Sequence, residues 1–319
     1  MERWKTELLP LLPQPIGAVL RELNDEDRLL EIRLRVGRPM ELVTERSDRL
    51  VYAPQGKPLL PEEAFAPLLT SLCGQSVYAW ERELSNGFLT VPGGYRVGIA
   101  GRAIRTAEGV RYTAVRGFCI RIVRERIGAA EPLLPYLVED GTLLSTLLIS
   151  PPNCGKTTVL RDLIRLVSDG MATLRGHRVC AADERFELSG AADGSSAFDL
   201  GMRTDVVSGI SKPEALERML AALSPEVLAT DELHTAADAD AIDRACGCGV
   251  RVLATAHAGS YADALRRPAI RRLLETGVFQ RVIRLRREPV GTVGTVYDET
   301  GAILLPQQRA RSDRKECQG

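Results

Sequence analysis

Nowhere in this 319-residue chain do apolar residues run for anything near the roughly 20 positions that a membrane-spanning helix needs. The opening Met1-Glu2-Arg3-Trp4-Lys5 leads into no signal-type apolar stretch, so the expected location is the cytoplasm. Net charge is also missing. The 42 basic residues cancel the 42 acidic ones, which leaves no global field for nucleic acid or an anionic membrane, and any such partner must be held locally. Aromatic residues are 5% of the chain and form no stretch interleaved with basic residues. The positive groove and stacking platforms of a single-strand binder are therefore lacking, and nucleic acid is not expected as a partner. There are only three histidines, and the seven cysteines (73, 119, 154, 180, 246, 248 and 317) are scattered and odd in number. That fits reduced thiols better than a disulfide framework, and Cys246 and Cys248 stand too close for the usual zinc pair. No internal repeat and no low-complexity block is found.

What remains suffices for two packed domains, since 45% of residues are hydrophobic. All but five of the basic residues are arginine, a bias to which no functional weight is given at this point. Residues 1–130 read as a smaller α+β domain: a helical start with proline punctuation, then the alternation Leu30-Glu31-Ile32-Arg33-Leu34-Arg35-Val36 closed by Gly37. In that strand Ile32, Leu34 and Val36 face one way. Phe88–Val91, the turn Pro92-Gly93-Gly94 and Tyr95–Ile99 read as a hairpin, and Phe118–Val123 as a further strand. Prolines and small residues between Gly128 and Gly141 mark a boundary, with 131–141 as linker.

From Thr142 short apolar strands alternate with helical segments, the pattern of a mainly parallel sheet covered by helices, so residues 142–305 are expected to form an α/β domain. The strands expected are Thr146–Ile149, Arg178–Ala182, Val227–Thr230, Arg251–Ala254 and Arg281–Leu285, with Val293–Tyr297 and Ala302–Leu305 as a last hairpin. Residues 306–319 have little to bury and are expected to be a disordered tail.

The chemistry gathers at strand ends. Ser150-Pro151-Pro152-Asn153-Cys154-Gly155-Lys156-Thr157-Thr158 joins a strand to a helical pattern, the setting of a phosphate loop for ATP. There backbone N–H groups face the phosphates, Lys156 reaches the β and γ oxygens, and the Thr157 hydroxyl ligates Mg2+. Ser150 stands where the strict motif has its first glycine. About seventy residues later, Pro225–Glu232 is an apolar strand ending in two carboxylates, a Walker B pattern. Asp231 would hold Mg2+ through water, and Glu232 would orient or deprotonate the attacking water. The alternative for this pair is a helix N-cap. A third strand ends in Asp183-Glu184-Arg185, where Glu184 is the other candidate base and a salt bridge to Arg185 the plainer reading. A fourth ends in Ala254-Thr255-Ala256-His257, where His257 could sense the γ-phosphate.

These residues together resemble the ring-forming ATPases of type II and type IV secretion and pilus assembly. The resemblance implies a RecA-like P-loop ATPase domain behind an amino-terminal domain, with Walker A at Ser150–Thr158, an acidic box at Asp183–Glu187, Walker B at Val227–Glu232 and a histidine box at Ala254–His257. A closer likeness is to the stage III sporulation branch of endospore formers. It is carried by Glu31–Pro39, Gly93–Arg102, Pro151–Thr158, Asp183–Arg185, Gly201–Val206 and Ser224–Val227. That likeness implies a cytoplasmic motor on the mother-cell side of a channel complex between mother cell and forespore. Its partners would be membrane proteins of that complex, and its assembly a homohexamer. In the wider family, arginines of the amino-terminal domain complete the nucleotide site, and Arg96 and Arg121 are the positional matches. Ser150, Phe186 and Leu233-His234 depart from the family pattern. Alternative readings are a RecA-like nucleic-acid-dependent ATPase, a nucleotide-binding scaffold with little turnover, and a small-molecule kinase, the last disfavoured by the lack of an obvious lid.

Overall fold

The computed structural model describes residues 3–24, 28–44, 46–74, 80, 84–85, 87–107, 109–152, 154–171, 174–190, 196–287 and 291–305. The expected tail 306–319 and Asn153 lie outside these described residues. The chain divides into two compact units, one of residues 1–125 with 189–198 and one of residues 126–188 with 199–319.

The first unit contains α1 (Arg3–Glu7), α2 (Gln14–Arg21), β1 (Leu29–Arg35), β2 (Met40–Thr44), β3 (Asp48–Val51), α3 (Phe65–Leu72), β4 (Phe88–Val91), β5 (Tyr95–Thr106) and β6 (Gly109–Arg121). Its strands form one antiparallel sheet in the order β3-β2-β1-β6-β5-β4. Alternation decides which face is buried. Ile32 and Leu34 lie in the core while Arg33 and Arg35 do not, and Val36 packs on it from the margin. Trp4, Ile16, Leu20 and Leu68 cover that face, and Phe65 stacks on Phe118 at 5.8 Å. The hairpin of β4 and β5 turns where expected, with Gly93 and Gly94 both at positive φ. The pairing of β2 with β3 and the long outer reach of β5 with β6 were not anticipated.

The second unit contains α4 (Leu134–Leu137), β7 (Val138–Glu139), β8 (Thr142–Leu143), β9 (Thr146–Ser150), α5 (Lys156–Asp169), β10 (Val179–Asp183), β11 (Thr204–Ser208), α6 (Lys212–Ala222), β12 (Val227–Thr230), α7 (Ala236–Gly247), β13 (Arg251–His257), α8 (Tyr261–Leu265), α9 (Pro268–Glu275), β14 (Arg281–Arg286), β15 (Thr292–Asp298) and β16 (Ile303–Leu305). The large sheet runs β11-β10-β12-β13-β9-β14-β15-β16. It is parallel as far as β14, and the last two strands add an antiparallel edge.

Successive residues of the central strands enter opposite cores, which is why these segments read as unbroken apolar runs. Leu147, Ile149, Cys180 and Ala182 pack with α6, α7 and α9 through Leu216, Ile242 and Leu273. Leu148, Val179 and Ala181 pack with α5 through Val159, Leu163 and Val167. The segment expected as the end of the first domain and a linker, 126–141, folds with this second unit. Ala130, Leu133 and Leu137 are buried in the α5 core, and the Ala130 N–H donates to Asp162 Oδ2 at 2.8 Å. Helix α5 ends at Gly170, at φ 88°, where a Cβ would sit 2.6 Å from the Gly176 nitrogen.

At the amino ends of the strands, Glu226 accepts from the Arg178 N–H at 3.0 Å and from the Arg175 guanidinium. The Arg175 hydrogen bond, then the Arg178 N–H, hold its carboxyl at about 2, below the ordinary 4.5. A carboxyl depressed on folding stabilises the protein above its unfolded value and loses that contribution as pH falls towards its folded one. The melting temperature of Glu226→Gln is therefore expected to lie below the parental one at about pH 6, with the gap closing between pH 4.5 and about 2. A gap constant across that range in thermal melts would refute the linkage.

Candidate nucleotide site

Register gathers the polar strand ends. Parallel pairing sets His257 of β13 opposite Ser150 of β9, Ala254 opposite Thr230 of β12, and Asp183 of β10 opposite Ser208 of β11. The loops after these neighbouring strands therefore open at one carboxyl edge, the usual place for a ligand in a parallel sheet.

Gly155 takes the left-handed conformation, φ 80°, as the N-cap of α5, so Lys156, Thr157 and Thr158 occupy the first turn. N–H groups of a first turn have no intrahelical acceptor and carry the positive end of the helix dipole. Lys156 is buried and its Nζ donates to the Ser150 carbonyl at 3.1 Å, the Ser150 hydroxyl at 3.2 Å and the Pro151 carbonyl at 3.1 Å. The serine that replaces the first glycine thus adds an acceptor for the lysine. Burial pushes the ammonium pKa down, against the pull of Asp231, Cys154 and Glu232. Pro151 and Pro152 are exposed, and the buried Cys154 thiol lies 3.6 Å from the Pro152 carbonyl.

The Thr157 hydroxyl donates to Asp231 Oδ2 at 2.6 Å, and the Thr255 hydroxyl donates to Asp231 Oδ1. The helix-cap alternative for Asp231-Glu232 fails, because Thr235 caps α7 in a reciprocal box with Asp238. Glu232 sits at φ 55°, a strained value for a non-glycine residue, fixed by its N–H donating to the Thr255 hydroxyl at 2.8 Å. Its carboxylate is bridged on both oxygens. Arg185 Nη1 is 3.0 Å from Oε2, and His257 Nε2 is 3.0 Å from Oε1. His257 Nδ1 is in turn 3.0 Å from Lys156 Nζ. An ammonium can only donate, so Nδ1 accepts and Nε2 carries the proton towards Glu232.

In the acidic box Asp183, Glu184 and Arg185 separate in role. Asp183 Oδ1 accepts from the Glu187 and Leu188 N–H groups at 2.8 and 3.1 Å, which holds the turn. Arg185 pairs with Glu232 rather than with its neighbours in sequence, and Phe186 follows at φ 57°. Glu184 Oε2 lies 3.3 Å from Lys212 Nζ, and Glu184, Arg185, Lys212, Asp231 and Glu232 line one cleft. Lys212 escaped sequence reasoning because β11, the half-buried edge strand that delivers it, carries no strong apolar pattern. A lysine just after a glycine turn in an arginine-rich chain was the available signal.

Arg96 and Arg121 belong to the first unit. The Arg96 guanidinium lies 3.7 Å from the Phe88 ring centroid. Arg121 is exposed and its Nε is 3.4 Å from Glu31 Oε1.

A mainly parallel sheet with this loop-to-helix turn, preceded by a smaller antiparallel domain, is the RecA-like architecture of the secretion ATPases. The fold matches the pilus retraction motor PilT with bound ADP at TM-score 0.59 and 16% identity, over 86% of this chain and 78% of that one. It matches the Yersinia pseudotuberculosis ATPase DotB at TM-score 0.58 and 14% identity, over 92% and 78% of the two chains. Within that class the chain belongs to the family described as sporulation stage III, protein AA, whose model matches residues 2–304. Stage III sporulation protein AA of Bacillus subtilis (strain 168) is 38% identical over 302 residues, 93% of this chain and 96% of that protein. An uncharacterised ycf45 protein of Cyanidium caldarium is 26% identical over 208 residues, 65% of this chain and 56% of its own length. Among the described residues no helix is long and apolar enough to cross a membrane.

Proposed function

We propose that this chain is an ATP-hydrolysing motor of the secretion-ATPase type, using Mg2+, that energises a channel complex between mother cell and forespore. The observation that carries the reading is the 2.6 Å bond from Thr157 to Asp231 beside the buried Lys156 ammonium. A hydroxyl and a carboxylate from segments 74 residues apart meet there.

The residues suit ATP with Mg2+. Gly155 shapes the loop, α5 presents its first-turn N–H groups, and Lys156 supplies a charge for phosphate oxygens. Thr157 and Asp231 are hard oxygen donors of the kind Mg2+ takes directly or through water. The metal neutralises phosphate charge when bound. Glu184, with one oxygen on Lys212, is the carboxylate best placed to orient and deprotonate water. Glu232, engaged on both oxygens, couples Arg185 to His257 and Lys156.

The family and the shared fold support a cytoplasmic homohexamer on the mother-cell side, docked to membrane proteins of the sporulation complex. In such a ring Arg96 or Arg121 would act as an arginine finger on a neighbouring subunit's nucleotide. The test joins turnover to assembly: the purified chain should release phosphate from ATP with Mg2+ and sediment as a hexamer. Mixing an Arg121→Ala or Arg96→Ala chain with a Lys156→Ala chain should restore activity that each lacks alone. A chain that neither binds nor hydrolyses ATP would end the reading. Inactive mixtures, or both arginine variants at the parental rate, would remove only the finger.

A further inference from the structure

Only five of the chain's 42 basic residues are lysine, and two of them, Lys156 and Lys212, are buried at the same edge of the second unit's sheet. The phosphate-loop reading accounts for Lys156. Lys212 has no comparable account in folding. It opens α6, where the helix dipole disfavours a cation, and its side chain is only 6% exposed. Arginine, which forms buried ion pairs more readily and supplies nearly all of this chain's positive charge, is not used there. What the position selects is a compact ammonium. The turn after β11 delivers it beside the end of β10, where the Gly209 N–H donates to the Asp183 carbonyl at 3.3 Å. There Nζ lies 3.3 Å from Oε2 of Glu184, whose side chain is 38% exposed at the cleft it shares with Asp231 and Glu232.

Resting on the ATPase reading above, we infer that Lys212 is a positioning residue whose buried ammonium holds the Glu184 carboxylate in the orientation that receives the proton of the attacking water. In that step the water oxygen bonds to the terminal phosphorus, the bridging bond breaks with its electron pair leaving on ADP, and the water proton passes to Glu184. In this role Lys212 acts through the Glu184 carboxylate, so its removal is expected to change turnover and leave ATP affinity in place.

A double-mutant cycle over Lys212→Met and Glu184→Gln tests this, with kcat and the Kd of ATP measured for each chain. Lys212→Met should lower kcat by about a hundredfold, the scale of a misplaced reacting group. ATP affinity should stay within about twofold, and the double variant should be no slower than Glu184→Gln alone. Losses that multiply, a parallel loss of ATP affinity, or parental kcat in Lys212→Met would each overturn the proposal. If the Met variant does not fold, Lys212→Gln must meet the same criteria. Failure of both to fold makes the lysine a folding residue and also overturns it. A parental chain without turnover fails the ATPase reading itself, a result distinct from any failure confined to the variants.

Discussion

Lys156→Ala is expected to lose ATP binding and turnover while keeping its fold. A charge-assisted contact to phosphate contributes about 2–4 kcal/mol in the bound or transition state, so the loss should be roughly thirtyfold to a thousandfold. The lysine's surroundings sharpen the prediction. Its Nζ sits among the Ser150 and Pro151 carbonyls and His257, where burial works against the charged form. Truncation therefore removes an ammonium that the fold holds at a cost, and the melting temperature should change little. Fluorescent-nucleotide binding, phosphate release and a thermal melt on the same preparation separate the two effects. Parental ATPase activity in Lys156→Ala would remove the phosphate-loop assignment. A collapsed melting temperature would instead make the lysine part of the scaffold.

The parallel core was legible because strands buried on both faces carry near-continuous apolar runs, as in Leu147-Leu148-Ile149 and Val227-Leu228-Ala229. Segments without that requirement were not. Strand β11, Thr-Asp-Val-Val-Ser, lies at the sheet edge and is only partly buried, so its composition does not announce it. The outer half of β5, from Gly101 onward, is mostly exposed and shows no alternation to read. Ala130, Leu133 and Leu137 were hidden by intervening prolines, although together they seal the α5 core. In the site, residue types at strand ends were visible, since a loop after a parallel strand has few other reasons to carry Lys-Thr, Asp-Glu or His. Pairing between those ends was not. Which carboxylate meets Arg185, His257 or Lys212 depends on the register of strands distant in sequence, Arg185 and Glu232 being 47 residues apart. Composition carries no record of that register.

Glu184→Gln and Glu232→Gln, assayed side by side, should both bind ATP and differ in the step they damage. A positioned base contributes on the order of a hundredfold to ten-thousandfold to rate, and the amide keeps shape while losing basicity. Glu184 has its Oε2 on Lys212 and lines the cleft, so Glu184→Gln should show the full loss in kcat with ATP affinity retained. Glu232 is different, because Arg185 and His257 already engage both of its oxygens. An amide at Glu232 keeps the contact with Arg185 only by turning its oxygen that way, which points an N–H2 donor at the protonated Nε2 of His257. That clash frees His257 from the carboxylate and alters its 3.0 Å contact with Lys156. Glu232→Gln should therefore change ATP affinity as well as kcat, with the smaller loss in kcat of the two. The opposite ranking, Glu232→Gln crippled with affinity unchanged and Glu184→Gln near the parental rate, would place the base on Glu232 and leave Lys212 paired with a carboxylate that takes no part in the reaction.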